Sequence, residues 1–466
     1  MLGQWRRQGS RRGAADLAAG IRMLVLDGRL PAGTGLPAER ELAGALGVSR
    51  TMVGSAWQSL RTAGLVVSRQ GAGSWTASPS GPPTPDAPPR PDAPRLIDLT
   101  RAVPAATAGV AEAAARALPL LTAELGGRGH AEYGLPRLRE LLAQRYTARG
   151  LPTTPDQILV TNGGHQVLAM ALRLFTGPGD RVLIEQPSYP NAIEAIRAAH
   201  GVPVPVAMTE DGWDCDGLTT TLRQAAPRLA YLIADFHNPT GFHMAESDRK
   251  RLGAALRRCR TPVVVDESNV DLALDGSAPR TPLAAYVGEL ALTAGSASKS
   301  HWDGLRLGWV RASAEVVDRL VLARRGLDLG SPVFEQLVLA DLLEHRPAGR
   351  VDRLATLAAQ RDALVAAVRS ECSQWTFRVP TGGLSLWCRL PAPMSTRIAA
   401  VAQNFGVRVV PGGFFAAHGG LEHWLRLPYT LPADALVEAV HRLAQAATSV
   451  TECGLPVADS ATFAVT

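Results

Sequence analysis

Only two lysines, Lys250 and Lys299, stand among the 48 basic side chains of this 466-residue chain. Arginine is used wherever charge alone is needed. A retained lysine therefore points to an amine required as a nucleophile, a role guanidinium cannot fill. Lys250 lies in Ser247-Asp248-Arg249-Lys250-Arg251, a charged helix face that needs no further explanation. Lys299 lies in Gly295-Ser296-Ala297-Ser298-Lys299-Ser300, with Arg306 seven positions on. Small hydroxyl residues beside a lysine, with an arginine close behind, suit an aldehyde cofactor that carries a phosphate. The amine of Lys299 forms the Schiff base, and Ser296, Ser298 and Arg306 hold the dianion.

A second concentration of chemistry lies at the other end. Residues 1–78 hold ten arginines and four acidic residues, which accounts for the whole net charge of +6. Charge gathered at one end suits a polyanion partner. On charge alone the alternative is a solubilising basic tail. The elements that position these arginines follow from apolar spacing. Leu17, Ile21, Leu24 and Val25 share one face of a helix over about 14–30, which Pro31-Ala32-Gly33 stops. A short second helix covers about 38–46 and ends at Gly47. Ser49 caps a third helix that runs to about Ala63, with Val53, Trp57 and Leu60 inward. Strands on either side of Gln70-Gly71-Ala72-Gly73 read as a two-stranded wing. Arg50 and Thr51 then stand at the start of the third helix, where base edges are read and helix N–H groups favour phosphate. Arg40 and Arg61 are candidate phosphate contacts, and Gly71 and Gly73 let the wing tip approach a nucleic-acid backbone closely.

The head is followed by a Pro-rich stretch, 79–95, which reads as an extended tether. The body, 96–450, alternates helical segments with short apolar runs such as Ile158-Leu159-Val160, Leu229-Ala230-Tyr231-Leu232-Ile233 and Val263-Val264-Val265. That alternation predicts an α/β domain with a mainly parallel sheet. Residues 451–466 read as a tail. The five cysteines are scattered and lack a C-x-x-C pair, which suits reduced thiols in a cytosol and neither a disulfide framework nor a zinc or other metal site. No apolar run approaches the roughly eighteen residues of a membrane span.

The head pattern, Leu36-Pro37-Ala38-Glu39-Arg40-Glu41-Leu42-Ala43 with Leu46-Gly47-Val48-Ser49-Arg50-Thr51-Met52-Val53, resembles the GntR-type winged helix-turn-helix over about 14–77. The body resembles the fold-type I aminotransferases, with a large domain and a smaller C-terminal α/β subdomain. That resemblance implies pyridoxal 5′-phosphate (PLP) as cofactor and assigns roles by motif. In Thr161-Asn162-Gly163-Gly164-His165-Gln166 the amides of Gly164 and His165 would bind its phosphate. Tyr189, in Gln186-Pro187-Ser188-Tyr189-Pro190, would stack on the pyridine. Asn238, in His237-Asn238-Pro239-Thr240-Gly241, would donate to the 3′-oxygen, and Asp266 would pair with the ring nitrogen. Arg426, in Leu425-Arg426-Leu427-Pro428-Tyr429, would clamp an amino-acid carboxylate. One departure stands out: Asn269 occupies the place where the family commonly has a tyrosine, so an amide replaces a phenol at the 3′-oxygen.

The combination of both halves resembles the MocR, or GabR-like, subfamily of bacterial regulators. It implies a cytoplasmic, nucleoid-associated transcription factor that binds double-stranded operator DNA and works as a head-to-tail homodimer. Its effector would be PLP, an amine or an amino acid. The alternatives are a working aminotransferase with a DNA-binding appendage, and a body that has lost its cofactor and serves only to dimerise.

Overall fold

The computed structural model describes residues 13–26, 30, 34–62, 65–69, 73–76, 96–345 and 349–452. The tether at 79–95, Gly71 and the tail beyond residue 452 lie outside the described residues. The chain divides into two compact units, Met1–Leu96 with Thr396–Gly406, and Ile97–Ser395 with Val407–Thr466.

In the head, helices Gly13–Leu26, Glu39–Leu46 and Arg50–Thr62 enclose a core of Leu17, Ile21, Val25, Leu42, Val53, Trp57 and Leu60. These include most of the residues whose spacing predicted the first and third helices. Gly47 closes the second helix in the left-handed region at φ 64°, and Ser49 Oγ accepts from the Met52 amide at 3.2 Å to cap the third. The wing strands Val66–Arg69 and Gly73–Thr76 pair antiparallel. A third strand, Gly35–Leu36, joins them, with Gly35 opposite Trp75 and Leu36 opposite Ser74. The expected two-stranded wing is therefore a three-stranded sheet.

The body is built on seven strands in the order Ile158–Thr161, Gly308–Arg311, Ala291–Ser296, Val263–Asp266, Leu229–Leu232, Arg181–Gln186 and Val202–Ala207. Gly308–Arg311 runs antiparallel to both its neighbours, and the other pairings are parallel. Apolar clusters cover both faces: one holds Ile158, Ala230, Val263 and Val265, the other Leu159, Tyr231, Val264 and Leu292. Strands buried on both sides explain the continuous apolar runs in the sequence. Beyond the sheet, strands Ser385–Arg389, Trp424–Pro428 and Val410–Pro411 form a second, antiparallel sheet, and the long helices Gly349–Glu371 and Ala433–Glu452 pack on each other.

Asp266, Ser296 and the Gly163-Gly164 turn all lie at the carboxyl ends of parallel or edge strands of the main sheet. An open α/β sheet places its ligand crevice there.

Candidate functional site

The helix Gly164–Phe175 begins directly after strand Ile158–Thr161. Gly163 makes the turn at φ 88°, a conformation that only glycine adopts without strain. The first N–H groups of a helix lack acceptors in a preceding turn, which makes such a start a place where an anion can bind. Four chain segments close on that point. A Cβ placed on Gly164 would lie 3.2 Å from Ser268 Oγ, 3.4 Å from Gly295 O and 3.6 Å from Ser296 Cβ, and one on Gly163 would lie 3.8 Å from an Arg306 guanidinium nitrogen. Gly308 permits this convergence: a Cβ there would come within 2.5 Å of Gly163 C, 2.6 Å of Gly164 N and 2.7 Å of Gly295 O. Asn162 and Gln166, on either side of the turn, both donate to Asp328, which also receives Arg324.

Ser296 and Ser298 are buried, and the Ser298 amide donates to Ser296 Oγ at 3.2 Å, capping the short helix that carries Lys299. Burial pushes the Lys299 amine below its ordinary pKa. Arg426 and Arg306 add to that lowering, and Asp303 and Asp266 oppose it. A depressed ammonium is a better source of the neutral nucleophile.

Asp266 is held at both oxygens. Tyr231 donates its hydroxyl to Oδ2 at 2.6 Å, and the Ser268 amide donates to Oδ1 at 2.8 Å. Burial and the adjacent carboxylate push the Tyr231 phenol well up, so the proton stays on the phenol. From the sequence, Tyr231 reads only as part of a core strand, and neither Ser268 nor Gly308 is among the residues that the motifs assign to the site. Tyr189 lies edge-on to His165, with ring centroids 6.4 Å apart, and its hydroxyl accepts from Asn191 at 2.9 Å.

Arg426 sits in the centre of the small sheet's strand Trp424–Pro428, nearly buried, with its guanidinium 5.0 Å from the centroid of the Phe415 ring. It donates to Thr100 O and, at 3.5 Å, to Asn238 Oδ1. Its Nε has no partner, and the partners of its other nitrogens are neutral oxygens, with no ion pair to it among the described residues. Burial lowers its pKa to about 10. A buried cation beside a lysine, with a donor unused and no counter-ion, fits the carboxylate of an incoming ligand. Asn238 is thereby placed beside Arg426. Asn269 faces the same loop, but its Nδ2 donates to Phe236 O at 2.9 Å, so part of its amide is committed to the backbone ahead of His237-Asn238.

In the head, Ser49, Arg50 and Thr51 are exposed at the start of the third helix, and Arg40 is exposed in the second. Arg50 has only a loose ion pair with Glu39, 3.7 Å apart with the arginine side chain 74% exposed. Gly73 adopts φ 111° at the start of the wing's return strand. Arg61 is more committed than the sequence suggested. It donates to Gln58 Oε1 at 3.0 and 3.2 Å and to Ser68 Oγ at 3.2 Å, tying the helix to the wing.

Comparison with known proteins bears on both units. Residues 104–443 match the family described as aminotransferase class I and II, and residues 14–75 match bacterial regulatory proteins of the gntR family. A 2-aminoadipate transaminase of Thermus thermophilus is 33% identical over 311 residues, covering 65% of this chain and 78% of its own. An uncharacterized HTH-type transcriptional regulator of Bacillus subtilis, YisV, is 27% identical over 433 residues, covering 83% and 86%. The crystal structure of LysN, an α-aminoadipate aminotransferase from Thermus thermophilus, superposes with a TM-score of 0.69 at 30% identity over 77% of this chain and 93% of that one. This chain belongs to the aminotransferase class I and II family and carries a gntR-type helix-turn-helix domain ahead of it.

Proposed function

We propose that the chain is a DNA-binding transcriptional regulator that uses pyridoxal 5′-phosphate, with Lys299 as the amine that bonds the coenzyme's aldehyde. One observation carries this reading. A single chain joins an open helix start bearing Arg50 and Thr51 to a pocket that gathers a pKa-lowered lysine, a braced aspartate and a buried arginine without a counter-ion. The regulator relative from Bacillus subtilis matches 83% of this chain. LysN, which matches the body, is described in complex with N-(5′-phosphopyridoxyl)-L-leucine.

Once bound, the coenzyme supplies a protonated pyridine that draws electrons from an attached amine. The rest falls to this chain's residues. The amides of Gly164 and His165, the hydroxyls of Ser296 and Ser298, and Arg306 hold the phosphate. Asp266, fixed by Tyr231 and Ser268, keeps the proton on the ring nitrogen. Tyr189 would pack against the ring, and Asn238 and Asn269 would serve the 3′-oxygen. Arg426 takes the carboxylate of an amino-acid effector. Asn269 is a weaker acid than a phenol and already serves Phe236, which favours sensing over turnover. Arg40, Arg50 and Thr51 contact operator DNA, Ser49 caps the helix that Arg50 and Thr51 open, and Gly73 brings the wing to the backbone.

The protein works as a homodimer in the cytoplasm. Leu118, Leu120 and Leu125 are 60%, 55% and 71% exposed, an apolar stretch that a second copy would cover. No helix among the described residues is long and apolar enough to cross a membrane. Ligand binding changes DNA affinity only if the effector binds one dimer state more tightly than the other. The test is a mobility shift on duplex DNA from the chain's own upstream region, with and without PLP and then with a panel of amines and amino acids. A second reading, an active aminotransferase, is favoured by the complete set of Lys299, Asp266 and Arg426. Steady production of keto acid from an amino acid would decide for it.

A further inference from the structure

Arg306 stands at the phosphate end of the proposed coenzyme site, and an acid already engages it. Its Nη1 donates to Asp303 Oδ1 at 2.9 Å, with side chains 62% and 39% exposed. The other guanidinium nitrogen, Nη2, is the one nearest the Gly163 turn. The two residues are the ends of one tight turn, Asp303–Leu305 followed by Arg306 at φ 49°, whose backbone amide donates to Asp303 O at 3.0 Å. The pairing is therefore built by local chain geometry.

An exposed ion pair of this kind adds little to the stability of the fold. Its effect on a ligand is larger. A phosphate dianion arriving at Arg306 meets a guanidinium half neutralised by a fixed carboxylate, and it is repelled by that carboxylate at close range. We propose that Asp303 is a built-in competitor for the coenzyme's phosphate. It occupies Arg306 in the coenzyme-free protein and weakens phosphate binding, so that occupancy follows coenzyme supply. This rests on the reading of the pocket given above and adds to it the residue that sets the coenzyme's affinity. The same carboxylate also opposes the depression of the Lys299 amine, so both ends of the coenzyme meet its field.

The test titrates wild type, Asp303→Asn and Asp303→Glu with PLP and with pyridoxal, which has the aldehyde but no phosphate, following the visible absorbance of the bound ligand. The readout is the ratio of the two affinities. Both ligands use Lys299, so any change in the amine cancels from the ratio. Asp303→Asn is expected to raise the PLP-to-pyridoxal ratio about three- to tenfold, and Asp303→Glu, which keeps the charge, to stay near wild type. A ratio that is unchanged or lower in Asp303→Asn overturns the competitor role while leaving the pocket assignment intact. Wild-type protein that binds neither ligand overturns the pocket assignment itself, and the competitor with it.

Discussion

Gly308→Ala isolates the geometry on which the phosphate cradle depends, without touching a charge. The added Cβ would lie 2.5 Å from Gly163 C, 2.6 Å from Gly164 N and 2.7 Å from Gly295 O. Carbon atoms rest at about 3.5–4.0 Å from such neighbours, so the strand and the turn must part by roughly 1 Å. All three obstacles are backbone, so no side chain can swing aside. Overpacking of this kind costs about 1–3 kcal/mol, set against the roughly 0.5–1 kcal/mol that alanine otherwise gains over glycine in a strand. The expected result is a net loss of stability of about 1–2 kcal/mol. The turn amides also shift, and with them PLP affinity falls by about tenfold to a hundredfold, since a misplacement near 1 Å can cost that much. Denaturant unfolding and absorbance titration with PLP read the two effects separately. Gly44→Ala is the control: nothing lies within 4 Å of that Cβ in the helix Glu39–Leu46, so alanine should stabilise the head slightly and leave PLP binding alone. Wild-type PLP affinity in Gly308→Ala would refute the placement of the phosphate at the Gly163-Gly164 turn.

Arg50→Ala should weaken binding to the operator by about 1–3 kcal/mol and leave the coenzyme absorbance unchanged. Equal operator affinity in a mobility shift would remove that residue from the base-reading set. Arg426→Gln should cost an amino-acid effector about 2 kcal/mol or more while sparing the amine that is its decarboxylated counterpart, which competition titrations would show; equal losses for both would refute the clamp. Asp235→Asn leaves the fully buried Arg249 without its partner 2.7 Å away and should cost about 3–5 kcal/mol in denaturant unfolding. Despite the burial cost, Arg249 and His243 hold the Asp235 carboxyl well below the usual range. The stabilisation it gives is therefore full above about pH 4, the ordinary carboxylate pKa, and is lost progressively as pH falls from there to the depressed folded value. An unchanged midpoint at neutral pH would contradict this.

Much of this was legible in the residue pattern because periodicity reports burial. Leu17, Ile21 and Val25 in one helix and Val53, Trp57 and Leu60 in another form the head's core as their spacing predicts. The runs at Leu229–Leu232 and Val263–Asp266 became central strands, and Ile158–Thr161 became an edge strand. The strand Gly35–Leu36 stayed hidden, since two residues carry no period. Tyr231 was hidden for another reason. It lies in a fully buried strand and reads as core, and only strand register brings its hydroxyl to Asp266. Gly308 left a signal that could have been used, because a glycine opening a buried strand often marks a close backbone approach. Arg61 shows another limit: its charge suggests a phosphate contact, and the pattern gives no sign that the fold also brings Ser68 to it from the wing. The ion pair between Asp303 and Arg306 was implicit in their three-residue spacing and became visible only with the left-handed turn at Arg306.

The central claim is that one amine couples the coenzyme to DNA reading. Its most direct test is operator affinity by mobility shift, measured across a PLP titration for wild type and Lys299→Ala. The expected result is an affinity that changes with PLP in wild type and stays constant in Lys299→Ala, whose head still binds DNA. An affinity indifferent to PLP in wild type, or the same response in both proteins, would contradict the account.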